Sequence, residues 1–333
     1  MGLPENHHKF GLRYLWLLLK VYFLRVMSYI DVYATNSLRP KPRDDVRVER
    51  IRFPSRDKGR YLSAYVFTPV DLPEKGPHPV HMNAHGSGFI SNAYQRNSQW
   101  FCYLVASKLK CIVVDTDYRK GPEYPFPFPQ EDVEDCYCWI ASQPERFDLD
   151  MVTAGGFSAG GNLVFSACAT IGPGKIKAIV SYYAPIDAST PGARIGVRDH
   201  PDTEFRSGVL LIPWIFNSFF VSYVPDHQDP REPSISVYYQ PVDRWPDHML
   251  LVAGTADSLY QDSLDLVTKV KEQGTPAQAA GTRFISVPNE AHAFDEQPKC
   301  PESVKWRDYV YDESVEVLRT AHNEVRRARG QLE

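Results

Sequence analysis

A serine flanked at two positions on either side by glycine is the first feature with chemical consequence. Gly156-Phe157-Ser158-Ala159-Gly160 follows the strand-like run Met151–Phe157 and precedes a run of helical spacing that starts at Ala159. Small residues at those positions permit a sharp strand-to-helix turn. Such a turn lifts the serine Oγ above the end of a sheet, with the first N–H groups of the helix pointing at it. Without that context the motif recurs by chance, and the ordinary role of the serine would be a helix N-cap. A serine hydroxyl needs a base to attack a carbonyl. Among ten histidines, His292 stands in Asn289-Glu290-Ala291-His292-Ala293-Phe294, between the last strand-like run and the last helix. An acid must then hold the imidazole and stabilise its charged form. Asp257, in Gly254-Thr255-Ala256-Asp257-Ser258-Leu259, follows the run Met249–Ala253 and so leaves the sheet at the same edge. Asp262, a few residues on, is its competitor, with a surface or capping carboxylate as its plain role.

A second small-residue loop, His85-Gly86-Ser87-Gly88-Phe89, follows the run Val80–Ala84. Acyl transfer through Ser158 needs N–H donors where the carbonyl oxygen becomes an oxyanion, and a loop of this kind can turn its amides outward to supply them. The elements that position these groups alternate along the chain. Strands are predicted at Val46–Phe53, Tyr61–Thr68, Val80–Ala84, Cys111–Tyr118, Met151–Phe157, Ala178–Tyr183, Met249–Ala253 and Arg283–Val287. Helices are predicted at Tyr94–Leu109, around Val133–Ala141, from Ala159, near Leu259–Val270 and at Ser303–Arg327. Strands alternating with helices argue a mostly parallel sheet covered on both faces, and the first two strands, close in sequence, suit an antiparallel edge. About 65 residues separate Tyr183 from Met249, too many for a simple crossover. This insertion is rich in aromatics, Trp214, Phe216, Phe219 and Phe220 among them, and is expected to form a lid over the sheet.

The N-terminal stretch from Phe10 to Tyr33 is apolar, but Lys20 and Arg25 leave no charge-free run long enough to span a bilayer. Leu12, Leu15, Leu19, Tyr22 and Val26 fall at helical spacing, with Trp16, Leu18 and Phe23 widening the stripe. The expectation is a helix whose stripe packs on the body of the protein, and peripheral membrane contact is the alternative. The chain has 333 residues, 43% hydrophobic and 23% charged, which is the balance of a globular protein with a large core. Its 37 basic and 41 acidic residues leave a formal charge of −4, no footprint for nucleic acid. The six cysteines, Cys102, Cys111, Cys136, Cys138, Cys168 and Cys300, form no CxxC pair. They read as reduced thiols of a cytoplasmic protein.

These motifs, together with Asp117-Tyr118-Arg119-Lys120-Gly121-Pro122-Glu123, Pro125-Phe126-Pro127 and Glu131-Asp132, resemble the hormone-sensitive-lipase-like branch of the α/β-hydrolases. That branch includes microbial esterases, arylacetamide-deacetylase-type enzymes and fungal biosynthetic-cluster esterases. The resemblance covers roughly residues 45 to 320. It implies an eight-stranded, mostly parallel sheet with a helical cap. It further implies that the N–H groups of Gly86, Ser87 and Ala159 form an oxyanion hole, that His85 braces the loop, and that the 117–132 stretch is structural. Two residues depart from the family pattern. Ser87 stands where the middle glycine of HGGG is usual, and its side chain is expected to enter the pocket wall. Phe157 stands before the nucleophile where an acidic residue is frequent.

The expected organisation is N-terminal cap helices in 1–44, an α/β-hydrolase core in 45–190 and 247–333, and a cap insertion in 191–246. The expected activity is that of a serine carboxylesterase on a hydrophobic, small-to-medium ester, with Ser158, Asp257 and His292 as the triad. A condensation, cyclisation, lactonisation or acyl transfer at the same site is the alternative. Neither a metal-ligand cluster nor a nucleotide motif is present, so no metal or organic cofactor is expected.

Overall fold

A computed structural model describes residues 11–35, 43–189 and 205–332. Eight strands build one sheet: β1 (Val46–Pro54), β2 (Tyr61–Pro69), β3 (His78–Ala84), β4 (Ile112–Thr116), β5 (Phe147–Phe157), β6 (Ala178–Tyr182), β7 (His248–Gly254) and β8 (Thr282–Val287). Their order is β1-β2-β4-β3-β5-β6-β7-β8. Only the β1–β2 and β2–β4 pairs are antiparallel; the rest run parallel. β4 and β6 are buried at every residue, as strands of a sheet covered on both faces are.

The helices explain that coverage. Among the described residues these are α1 (Leu12–Ala34), α2 (Gln99–Leu109), α3 (Phe128–Ala141), α4 (Ala159–Ile171), α5 (Pro213–Tyr223), α6 (Tyr260–Gln273), α7 (Pro276–Gly281) and α8 (Pro301–Ala328). One core layer joins the sheet to α3, α4 and α6 through Val133, Leu163, Phe165, Leu266 and Val270. The other joins it to α2 and α8 through Phe101, Val105, Val310 and Leu318. Phe101 centres an aromatic cluster on that second side, meeting Phe157, Tyr182 and Tyr311 edge-on. α2 starts at Gln99 rather than Tyr94; residues 94–98 are turns, and Asn97 spends its side chain on Glu296 instead of continuing a helix.

The register brings the site together. Ala84 pairs with Thr116 and Gly156, and Gly254 with Val287. The loops after β3, β5, β7 and β8 therefore leave the sheet at one edge. That edge, the carboxyl end of the parallel strands, is where open α/β sheets bind ligands.

The N-terminal helix corrects an expectation. α1 forms, but the stripe of Leu12, Leu15, Leu19, Tyr22 and Val26 faces outward, each residue more than half exposed, as are Trp16 and Phe23. The inward face carries Val21, Leu24 and Ser28, packed with Leu17 against Ile90, Ile215 and Phe219. The cause is Arg25. Its guanidinium donates to the carbonyl oxygens of Ile90 and Gly121 and makes a bidentate pair with Glu123 at 2.7 Å. A bidentate, half-buried ion pair fixes the helix rotation, and the apolar stripe goes where that rotation sends it. The expected insertion 191–246 begins outside the described residues. Its described part holds α5, which packs against α1 through Ile215 and Phe219.

Candidate active site

Ser158 follows β5 and precedes α4 with φ 50° and ψ −122°, a backbone conformation that non-glycine residues rarely adopt. Its neighbours must be small for this turn to close. A Cβ on Gly156 would lie 2.5 Å from the Gly160 carbonyl, and one on Gly160 would lie 2.1 Å from the Ala84 oxygen. The Ser158 N–H donates to Tyr182 O, which pins the elbow to the neighbouring strand.

His292 Nε2 lies 2.9 Å from Ser158 Oγ, and His292 Nδ1 lies 2.9 Å from Asp257 Oδ2. A carboxylate at Nδ1 favours the tautomer with its proton there, which leaves Nε2 as the acceptor for the serine proton. Asp257 is further held by the Leu259 N–H on its other oxygen. Asp262 is engaged elsewhere: it accepts the Ile186 and Asp187 N–H groups at 2.7 and 3.0 Å, tying α6 to the chain beyond β6. The structure thus brings Ser158, Asp257 and His292 within bonding reach of one another and keeps Asp262 apart.

The loop after β3 lies against this elbow. A Cβ on Gly86 would meet Phe157 O at 3.3 Å and Ser158 Cβ at 3.5 Å. The N–H groups of Gly86, Ser87 and Ala159 donate to no acceptor among the described residues. Three free donors beside a serine hydroxyl can receive a developing oxyanion.

The Ser87 side chain corrects a second expectation. It is buried and belongs to the loop rather than to the pocket wall. Tyr118 Oη donates to His85 O at 2.7 Å, so the Ser87 hydroxyl donates to Tyr118 Oη at 2.8 Å and accepts the Phe89 N–H at 2.9 Å. His85 sits beneath, its ring stacked on Tyr118 and its Nδ1 donating to Gly86 O. Burial, then the Lys120 ammonium, pushes the His85 imidazole below its usual pKa. Asp117 Oδ1 lies 3.3 Å from His85 Nε2 and 2.8 Å from the Lys120 ammonium.

Several contributing groups were not legible as site residues in the sequence. Tyr183, directly after β6 with φ 40°, packs its ring 4.6 Å from that of His292 and donates to the buried Asp295, which also accepts from Tyr311. Its position after a strand at the same sheet edge was the available signal. Phe219 of α5 covers Gly88, whose Cβ position would lie 2.8 Å from that ring. The end of the insertion is also zipped to the histidine loop. Arg206 N–H donates to Asn289 O, Ala291 N–H to Ser207 O, and Val209 N–H to His292 O. Glu290, fully buried, accepts from Arg206, Ser303 and the Ser207 N–H. Phe157 stacks on Tyr182, so the ground behind the elbow is apolar. No group of three or more His, Cys, Asp or Glu among the described residues is placed to hold a metal ion.

Comparison with known proteins concerns the fold and the family. The chain is 29% identical over 218 residues to an AB hydrolase superfamily protein of Schizosaccharomyces pombe, covering 62% of this chain and 61% of that one. It is 26% identical over 244 residues to a versiconal hemiacetal acetate esterase of Dothistroma septosporum, covering 69% and 70%. The match thus spans about three fifths of the first relative's length. Its structure superposes on an esterase of Pyrobaculum calidifontis with a TM-score of 0.75 at 21% identity, over 90% of this chain and 93% of the other. Residues 81–296 match the profile of the alpha/beta hydrolase fold family. That match contains the loop after β3, the serine elbow, Asp257 and His292, and the chain belongs to this family.

Proposed function

We propose that the protein is a carboxylic ester hydrolase that works through an acyl-enzyme on Ser158. The observation that carries the reading is the unbroken relay from Ser158 Oγ to His292 Nε2 and from His292 Nδ1 to Asp257, at 2.9 Å for each link. Ser158 Oγ attacks the ester carbonyl as its proton passes to His292 Nε2. Asp257 stabilises the resulting imidazolium, and the amides of Gly86, Ser87 and Ala159 receive the oxyanion. The imidazolium then protonates the departing alcohol. Water, deprotonated by His292, attacks the acyl group, and the released proton returns to Ser158.

The substrate in this reading is a hydrophobic, small-to-medium ester. The aromatic face of α5, with Phe219 on the oxyanion loop, supports that class over peptides or sugars. The esterase named for versiconal hemiacetal acetate among the relatives supports an ester of a secondary metabolite. All six cysteines are free, in keeping with a reducing cytoplasm. Aryl esters of graded acyl length test the reading: wild type turns over the short members, and Ser158→Ala loses that turnover. Unchanged turnover in Ser158→Ala overturns it.

A further inference from the structure

The outward face of α1 is apolar along its whole length. Leu12, Leu15, Trp16, Leu19, Phe23 and Val26 are each more than half exposed. They share an arc of roughly 100° on the helical wheel, and the helix runs about 35 Å. Residues 11–30 contain no Asp or Glu. Of their three cations, Arg25 is spent inward on Glu123. Arg13 is exposed and Lys20 half-exposed, and Lys20 lies over the Trp16 ring at 5.6 Å. The charge of the chain is divided in the same place. Residues 1–43 hold seven Lys and Arg against two Asp and Glu, while the remainder holds 30 against 39. An apolar stripe flanked by cations, on a basic segment of an acidic protein, complements a surface that is both greasy and negative.

We propose that this face docks the protein on an anionic phospholipid bilayer, with α1 lying in the plane of the interface. No helix among the described residues is long and apolar enough to cross a membrane, so the contact is peripheral. A second copy of the chain fits less well. A symmetric pair would set the same basic segment against itself, and the stripe offers no acidic partner for it. The surface continues toward the substrate-binding edge. α1 packs on Phe219, which covers the oxyanion loop, and Trp214 and Val221 of α5 are also exposed. A docked enzyme would therefore hold its cap against the lipid, where hydrophobic esters concentrate. The docking itself is independent of the chemistry assigned to Ser158.

Flotation of the full-length protein with phosphatidylcholine vesicles, with and without phosphatidylglycerol, tests this. Wild type is expected to float with the anionic vesicles, and less so with the neutral ones. Leu19→Gln/Phe23→Gln is expected to lower the bound fraction at least about tenfold. Lys20→Gln lowers it by roughly fivefold, the weight of one basic residue at an anionic surface. All variants keep wild-type turnover of a soluble short-chain ester, which shows that they are folded. Wild type that stays in the dense fraction with anionic vesicles overturns the proposal. So does a dimer in sedimentation equilibrium that Leu19→Gln/Phe23→Gln dissociates, since a second copy would then cover the face.

Discussion

Ser158 occupies a left-handed backbone that costs on the order of 1–3 kcal/mol, held by its N–H bond to Tyr182 O and by glycines on both sides. The conformation sets Oγ beside His292 and three free amides. Because Asp257 fixes the tautomer of His292, Asp257→Asn is expected to lower kcat by about 10⁴-fold with little change in KM for a small ester, measured by steady-state kinetics. Ser87 acts one step back, as a positioning residue. Its hydroxyl joins Tyr118 to the Phe89 N–H and so fixes the direction of the loop amides. Ser87→Gly keeps the amide and loses only the brace. The expected outcome is a kcat loss of roughly tenfold at constant KM, below the 10² or more of deleting a donor outright. Tyr118→Phe should match it, and the double variant should add little if both act through one bond network. The sequence revealed the serine itself but not where its hydroxyl goes. Tyr118 lies 31 residues away, and only the β3–β4 pairing brings the two together.

At the scale of elements, the histidine loop depends on the strap from the insertion. Arg206–Val209 pairs with Asn289–His292 by three backbone hydrogen bonds, and Arg206 neutralises the buried Glu290. Arg206→Ala leaves Glu290 buried without its cation. It should cost about 1–3 kcal/mol of stability in denaturant unfolding and slow turnover, while Arg206→Lys restores part of both. The aromatics of the insertion argued for a lid, but its grip on the base left no such trace, because a three-bond bridge has no periodic pattern. β4 carries a different load. Burial pushes Asp115 up to about 8 although Asn83 donates to it at 2.7 Å. Its unfolded value is near 3.9, so the folded state binds more protons across that window. The stability it contributes is therefore complete below about pH 4 and declines as pH rises toward 8. Thermal unfolding of wild type should lose midpoint from pH 5 to 8, and Asp115→Asn should flatten that slope. A slope unchanged by the substitution would assign the pH dependence to other groups.

Across the whole molecule, the eight strands and their parallel order followed from β-branched runs separated by helical ones. The carboxyl-edge convergence of Ser158, Asp257 and His292 followed from where each loop leaves its strand. The rotation of α1 did not follow. Periodicity locates an apolar face and assumes that it turns inward, whereas here Arg25 and Glu123 set the rotation. Arg25→Ala removes bonds to Ile90 O, Gly121 O and Glu123 together. It should free α1 from the body, with trypsin cutting at Arg13 and Lys20 several-fold faster than in wild type while the sheet stays folded by circular dichroism. The proposed reaction depends on a covalent event at one oxygen. Rapid quenching of the enzyme with an activated aryl ester, followed by intact mass and peptide mapping, reads that event directly. Wild type should gain one acyl group, on Ser158, and His292→Ala should acylate far more slowly. Steady turnover with no adduct on Ser158, or an adduct that maps to another residue, would contradict it.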